Sequence, residues 1–360
     1  MAAMSGLERI GNILAHKPVD RVGVFENFWK NTQQHWAQAG HLGEGENLVD
    51  HFGLDVSTAW VLNTMVRLDF EPEVLEETEE TRLTRNGNYA TLRHHKLHAS
   101  PPENVDYAVK NRATWEELAK PYLTPTRDRI DFEKYRQARA TAAAKGRFFC
   151  CAGAGIFERI HPVCGHEHML LGMAMDPDWV KDMGNTYAEL LVGLMEILFA
   201  EEGKPDGIWY FEDMGYKQHP FMSPQMYHEL IQPYHKRTFD FAHANGLPVI
   251  VHSCGFVEPL VPGMIEAGMD CLQAIEVKAG MDLLRLKARY GDRIALWGGM
   301  DARYIATNDK DGIRKELAEK MPVVKEGYGY ILHSDHSIPS TTEYETYKFF
   351  IEEGLRLGTY

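Results

Sequence analysis

The run Val249-Ile250-Val251-His252-Ser253-Cys254-Gly255 sets narrow terms for the fold. Three β-branched residues in succession make a strand with no polar face, which suits a parallel strand covered on both sides. The strand then stops on His, Ser, Cys and Gly. In parallel α/β folds the chemistry sits at the carboxyl ends of the strands. His252 and Cys254 are two apart, so on extended backbone their side chains point the same way. An imidazole beside a thiolate is a zinc-type donor pair. A core cysteine next to a loop histidine is the plainer alternative.

Similar apolar runs recur along the 360 residues. Strands are expected near 19–26, 53–60, 148–155, 206–213, 270–276, 293–301 and 328–333, most followed by a helix-period segment. Helices are expected at 7–16, 47–52, 131–145, 178–199, 281–290 and 310–321. One more opens at Ser223-Pro224, with Pro at its first position, and runs to Asn245-Gly246. A helix over 114–120 has a capping-box start at Thr114. About eight strand–helix repeats in this length predict a (β/α)8 TIM barrel, with a doubly wound open sheet as the alternative. The chain reads as a single barrel domain over 1–360. Residues 65–115 break the pattern: they alternate apolar and polar and carry the turn Asn86-Gly87-Asn88. They predict an inserted antiparallel β-meander.

Composition excludes several classes. The formal net charge is −14 with no basic run, which argues against nucleic acid and anionic membranes. No apolar stretch is long enough to span a bilayer. The start Met1-Ala2-Ala3-Met4-Ser5-Gly6 lacks a secretory pattern. The five cysteines are an odd number, which fits reduced thiols and a cytoplasmic protein. A homodimer is compatible with all of this. Gly153 and Gly155 lack the third glycine and the acidic residue of a dinucleotide fingerprint.

A barrel would bring the strand ends to one rim: Glu26, Glu212 and Asp213, His252 and Cys254, Glu276, Asp301, and the loop His333-Ser334-Asp335-His336. An open catalytic zinc needs three protein ligands, and His252, Cys254 and His336 supply them if the last loop folds over the centre. Glu212 is the next candidate, as a fourth ligand or as the partner that orients a ligand. Asp335 is a second carboxylate for catalysis. Asp301, just before a helix, reads as an N-cap. Phe25, Phe28 and Trp29 either belong to the core or line a pocket for a flat ligand. The cluster His161-Pro162-Val163-Cys164-Gly165-His166-Glu167-His168 fits no standard zinc spacing and reads as a wall of the cleft.

These segments together resemble a known family. Glu8-Arg9, Lys17-Pro18-Val19-Asp20-Arg21-Val22, the stretch 206–213, Ser223-Pro224, Pro233-Tyr234, His252-Ser253-Cys254-Gly255, Trp297-Gly298-Gly299-Met300-Asp301 and the closing loop are similar, in order, to the uroporphyrinogen decarboxylase superfamily. The resemblance implies a (β/α)8 barrel and one of two chemistries. The decarboxylases hold substrate carboxylates with an Arg-rich N-terminal loop. Here that region carries Phe25, Asn27, Phe28, Trp29, Asn31, Gln33 and Gln34 instead. The cobalamin-dependent methyltransferases carry a His-x-Cys pair and a distant third zinc ligand, and His252-Ser253-Cys254 matches the pair. The thiol-methylating members have a Cys as third ligand where this chain has His336. The closing segment resembles ether-cleaving members. The resemblance therefore implies zinc-dependent transfer of a methyl group from an O-methylated, methoxy-aromatic substrate to the Co(I) of a separate corrinoid protein. Glu212 would relay a proton, and Phe25, Phe28, Trp29, Trp209 and Tyr210 would hold the ring. Metal-free decarboxylation, methylcobalamin:thiol methyl transfer and a non-catalytic corrinoid- or metal-binding barrel remain the alternatives.

Overall fold

A computed structural model describes residues 3–43, 45–97 and 102–360. Met1-Ala2 and residues 98–101 of the insertion, both read above, lie outside the described residues. Along the chain come β1 (Gly23–Val24), β2 (Val56–Trp60), β3 (Glu73–Glu77), β4 (Thr81–Arg85), β5 (Ala90–His95) and β6 (Glu103–Tyr107). They are followed by β7 (Phe148–Ala154), β8 (Gly207–Phe211), β9 (Val249–Ser253), β10 (Cys271–Ala274), β11 (Ala295–Gly298) and β12 (Tyr330–Leu332). Eight of them form one parallel sheet in the order β1-β12-β11-β10-β9-β8-β7-β2. The strands follow one another in chain order around the sheet, β12 lies beside β1, and the consecutive strands β1 and β2 stand at the two edges, which makes a barrel and not a doubly wound sheet. The insertion is a four-stranded antiparallel meander in sequence order. Its β4–β5 turn is tied by Asn86 Oδ1, which accepts from the N–H groups of Asn88 and Ala90.

The strand period of two sorts the side chains. On β8, Trp209 and Phe211 face the axis; Tyr210 faces the helices, where its ring stacks near Phe239 and its hydroxyl reaches Met195 Sδ. On β9, Ile250 packs with Trp209, Trp297 and Ile331 inside the barrel, while Val251 joins the outer core. The first helix, Gly6–Leu14, plugs the barrel from below with Ile10 and Ile13. Above that plug, Phe25 packs edge-on against Trp209 and Trp297 at 5.4 and 5.2 Å.

A polar network joins the two ends of the sheet. Asp55 N–H donates to Val24 O at 2.8 Å, and Asp55 Oδ2 accepts from Val24 N–H at 2.8 Å. Arg9 and Arg21 both bond the same carboxylate, and Arg9 also holds Asp20. The Glu8-Arg9 and Asp20-Arg21 segments thus close the seam between β1 and β2.

Two local expectations change. The helix read over 114–120 starts earlier, at Arg112, because Asn111 is the cap and Thr114 is its capping-box partner. The helix after Ser223 is two pieces, Pro224–Leu230 and Gln232–Ala244, because Pro233 begins a new first turn. Asp301 caps its helix by accepting from Arg303 N–H. No helix among the described residues is long and apolar enough to cross a membrane.

Asp55→Ala would remove the buried carboxylate that Arg9 and Arg21 share and that accepts the Val24 N–H, leaving Arg9 with Asp20 alone. We expect it to lower the unfolding free energy by about 3–5 kcal/mol in urea titration. A loss below about 1 kcal/mol would show that the seam does not depend on this carboxylate.

Candidate functional site

Strand alternation delivers Asp213 after β8, and His252 and Cys254 at the end of β9, to one point at the mouth. Their donor atoms all lie within 4.8 Å of one another. His252 Nε2 is 3.3 Å from Cys254 Sγ and 3.2 Å from Asp213 Oδ1. Asp213 Oδ1 also accepts the Cys254 backbone N–H at 2.8 Å. The two loops can approach because Gly215 and Gly255 cross backbone to backbone. A Cβ on Gly255, whose φ is +78°, would sit 2.3 Å from Gly215 C. Glu276 Oε2 braces the turn by accepting Gly255 N–H at 2.7 Å. Just before it, Ala274 and Ile275 hold positive φ angles of 94° and 58°, backbone strain of the kind stored at sites.

The set suits a divalent cation. Donors at about 2.0–2.3 Å from a tetrahedral zinc stand roughly 3.3–3.8 Å apart, close to the separations here. His252 Nδ1 donates to Gln273 Oε1. That tautomer leaves the Nε2 lone pair facing Cys254 Sγ and Asp213 Oδ1. Burial works against charge on His252, yet Cys254 and Asp213 push its basicity well above the usual range. Burial lifts the Cys254 thiol. Burial also opposes charge on Asp213, but His252 and the Cys254 N–H hold it below the ordinary carboxylate range. The three atoms share a positive centre, the proton that His252 holds or a divalent cation in its place.

Above these atoms opens a cavity of about 820 Å³. Its walls include Glu158, His161, His166, Tyr216, Phe221 and Lys278. A smaller one, about 270 Å³, adjoins it across Glu276 and Lys278 and is lined by Trp29, Asp335 and His336.

The sequence-derived residues divide accordingly. His252 and Cys254 come together. His336 is outside their cluster and borders the smaller cavity with Trp29; Asp213 stands where His336 was expected. Glu212 is fully buried and turned to the helices, because it is one residue out of phase with Asp213. It accepts from Glu158 N–H at 3.0 Å and pairs with His235 Nε2 at 2.5 Å, and His235 Nδ1 meets Tyr227 Oη at 2.9 Å. Asp335 spends both oxygens on backbone, accepting from Val277 and Ala302 N–H, and so clamps the loops after β10 and β11. Trp209 is 1% exposed and lies in the barrel floor with Phe25. Tyr210 faces the helices, so neither it nor Trp209 lines the large cavity. Phe25 and Phe28 border a separate cavity of about 410 Å³ beside the seam. The histidines 161 and 166 do form a wall. Glu158, Gln273 and Lys278 were not singled out in the sequence, although Gln273 lies within the expected strand 270–276 and Lys278 two residues beyond it.

Residues 160–355, more than half of the chain, match the family model described as Uroporphyrinogen decarboxylase (URO-D). The chain belongs to that family. Among solved structures, a methyltransferase from Methanosarcina mazei matches with a TM-score of 0.64 at 16% identity, covering 98% of each chain. This URO-D family barrel therefore shares its fold from end to end with that enzyme. An endo-1,4-β-mannanase from Rhizomucor miehei matches with a TM-score of 0.44 at 8% identity over 94% of each chain. Among curated proteins, none matches.

A buried acid beside the site yields a pH signature. Glu26 is fully enclosed, and burial raises its carboxyl from 4.5 to about 8. Burial keeps the neighbouring His333 neutral, lowered to about 3. Between pH 4.5 and 8 the unfolded carboxyl is ionised and the folded one is not, so this group costs stability as pH rises. Glu26→Gln should lose that slope. Urea midpoints that fall in parallel for wild type and variant across the window would contradict it.

Proposed function

We propose that the protein transfers a methyl group from a small O-methylated substrate, methoxy-aromatic by preference, to the cobalt of a separate corrinoid protein, with zinc held by His252, Cys254 and Asp213. The observation that carries this reading is the convergence of His252 Nε2, Cys254 Sγ and Asp213 Oδ1 at the base of a cavity of about 820 Å³. Zinc bound there would supply Lewis acidity, making an aryloxide a better leaving group.

The chain's own residues would do the rest. His166 and Phe221, stacked 4.9 Å apart, offer a flat face for an aromatic ring. Gln273 fixes the His252 tautomer. A corrinoid protein would approach the methyl carbon from the open side of this cavity. A single thiolate leaves a metal more electrophilic than two would, which favours an oxygen substrate over a thiol. Decarboxylation of a polycarboxylate is less well supported. Lys217 and Lys278 are the cavity's cationic wall residues, against Glu158, Asp213 and Glu276, and no arginine is among its wall residues.

Metal analysis of freshly purified protein tests this reading. We expect about one zinc per chain, lost in His252→Ala and Cys254→Ala with at least a 100-fold fall in methyl transfer. Asp213→Ala should lower the zinc content, and His336→Ala should retain it. The reverse order for these last two would return the third position to His336. Wild type without zinc, or full activity in Cys254→Ala, would overturn the proposal.

A further inference from the structure

A departing aryloxide needs a proton, and the structure changes which group can give it. Glu212 faces away from the cavity and is taken up by His235 and the Glu158 N–H. Asp335 is committed to two backbone donors. Glu276 is committed to Gly255 N–H, with Lys278 beside its other oxygen at 3.4 Å.

Glu158 and His161 remain. Both line the large cavity together with Asp213 and Cys254. His161 Nε2 is 2.8 Å from Glu158 Oε1, so Nδ1 is the ring nitrogen not engaged by that carboxylate. The placement of the pair is built into the fold. Glu212 pins the helix start at Glu158 N–H. Further along, the helix Phe157–Met175 is broken at Gly165, with φ +77° and ψ 156°. Only glycine fits there, because a Cβ would come within 2.6 Å of the Tyr107 ring at the end of the inserted meander. The break turns His166 back onto His161, stacked at 4.0 Å and 22°. Burial first, then His161, lowers His166 to about 4. Of the two stacked rings, His161 is the one hydrogen-bonded to a carboxyl group, that of Glu158.

We infer that His161, oriented by Glu158, is the general acid that protonates the leaving aryl oxygen. This rests on the methyl-transfer reading. Co(I) of the corrinoid gives its electron pair to the methyl carbon and forms the Co–C bond. The C–O bond breaks and its pair stays on oxygen. His161 Nδ1–H passes its proton to that oxygen, giving the phenol and methyl-Co(III). The neutral imidazole regains a proton from water through the open mouth.

The test is leaving-group dependence in single turnover, with cob(I)alamin as acceptor and 4-nitroanisole or 4-methylanisole as donor. The nitrophenoxide leaves without help; the methylphenoxide needs the proton. His161→Gln should slow 4-methylanisole about 100–1,000-fold and 4-nitroanisole less than about 10-fold, with zinc content and KM unchanged. Glu158→Gln should show the same pattern more weakly, and it provides the reading should His161→Gln fail to fold. Equal losses on both ethers in both variants, or no loss, would overturn the inference while leaving methyl transfer intact. Wild type inert to both ethers, with zinc bound, would instead remove the methyl-transfer reading and this inference with it.

Discussion

The parallel ladder across β8, β9 and β10 decides everything at the mouth. It pairs Phe211 with His252, and His252 with Gln273. Because the strand period is two, that register points Trp209, Phe211 and Asp213 one way and Tyr210 and Glu212 the other. A slip of one residue would aim Glu212 at His252 and turn Asp213 to the helices. The site's chemistry is thus a consequence of backbone hydrogen bonding.

The rest of the fold holds that register under load. The N-terminal helix fills the lower barrel, so the inward layer of Phe25, Trp209 and Trp297 has something to pack on. The Asp55 network ties the sheet ends where a two-residue strand, Gly23–Val24, makes few ladder bonds of its own. Above, the touching glycines 215 and 255 and the Glu276 brace bring two loops close enough for an imidazole, a thiol and a carboxylate to share one point. Polar groups are costly to bury without partners. Here Glu212, Asp335 and Glu276 have theirs in backbone N–H groups, and these carboxylates act as struts.

Much of this was legible in the sequence. Apolar runs ending in chemistry-bearing residues gave the barrel and the His252–Cys254 pair, because burial on both faces leaves a strong compositional mark; alternation and the Asn86-Gly87-Asn88 turn gave the meander. The third side chain beside that pair is Asp213, where the sequence pointed to His336. Glu212 and Asp213 are adjacent, and parity counted from Trp209 could have separated them; nothing local marks which face of β8 is inner until β9 is aligned beside it. The aromatic residues misled for the same reason: Tyr210 is as apolar as Trp209 but faces the helices. The position of His336 depends on a loop with no period at all. The Glu158–His161 pair was hidden because its geometry comes from a helix break set by a ring more than fifty positions earlier, Tyr107.

What matters most is whether one cation joins the donors at the ends of β8 and β9. X-ray absorption at the zinc edge of the purified protein addresses it directly. One sulfur at about 2.3 Å with nitrogen and oxygen neighbours at about 2.0–2.2 Å is the expected shell. A shell without sulfur, or one with two sulfurs, would contradict a centre built on His252, Cys254 and Asp213.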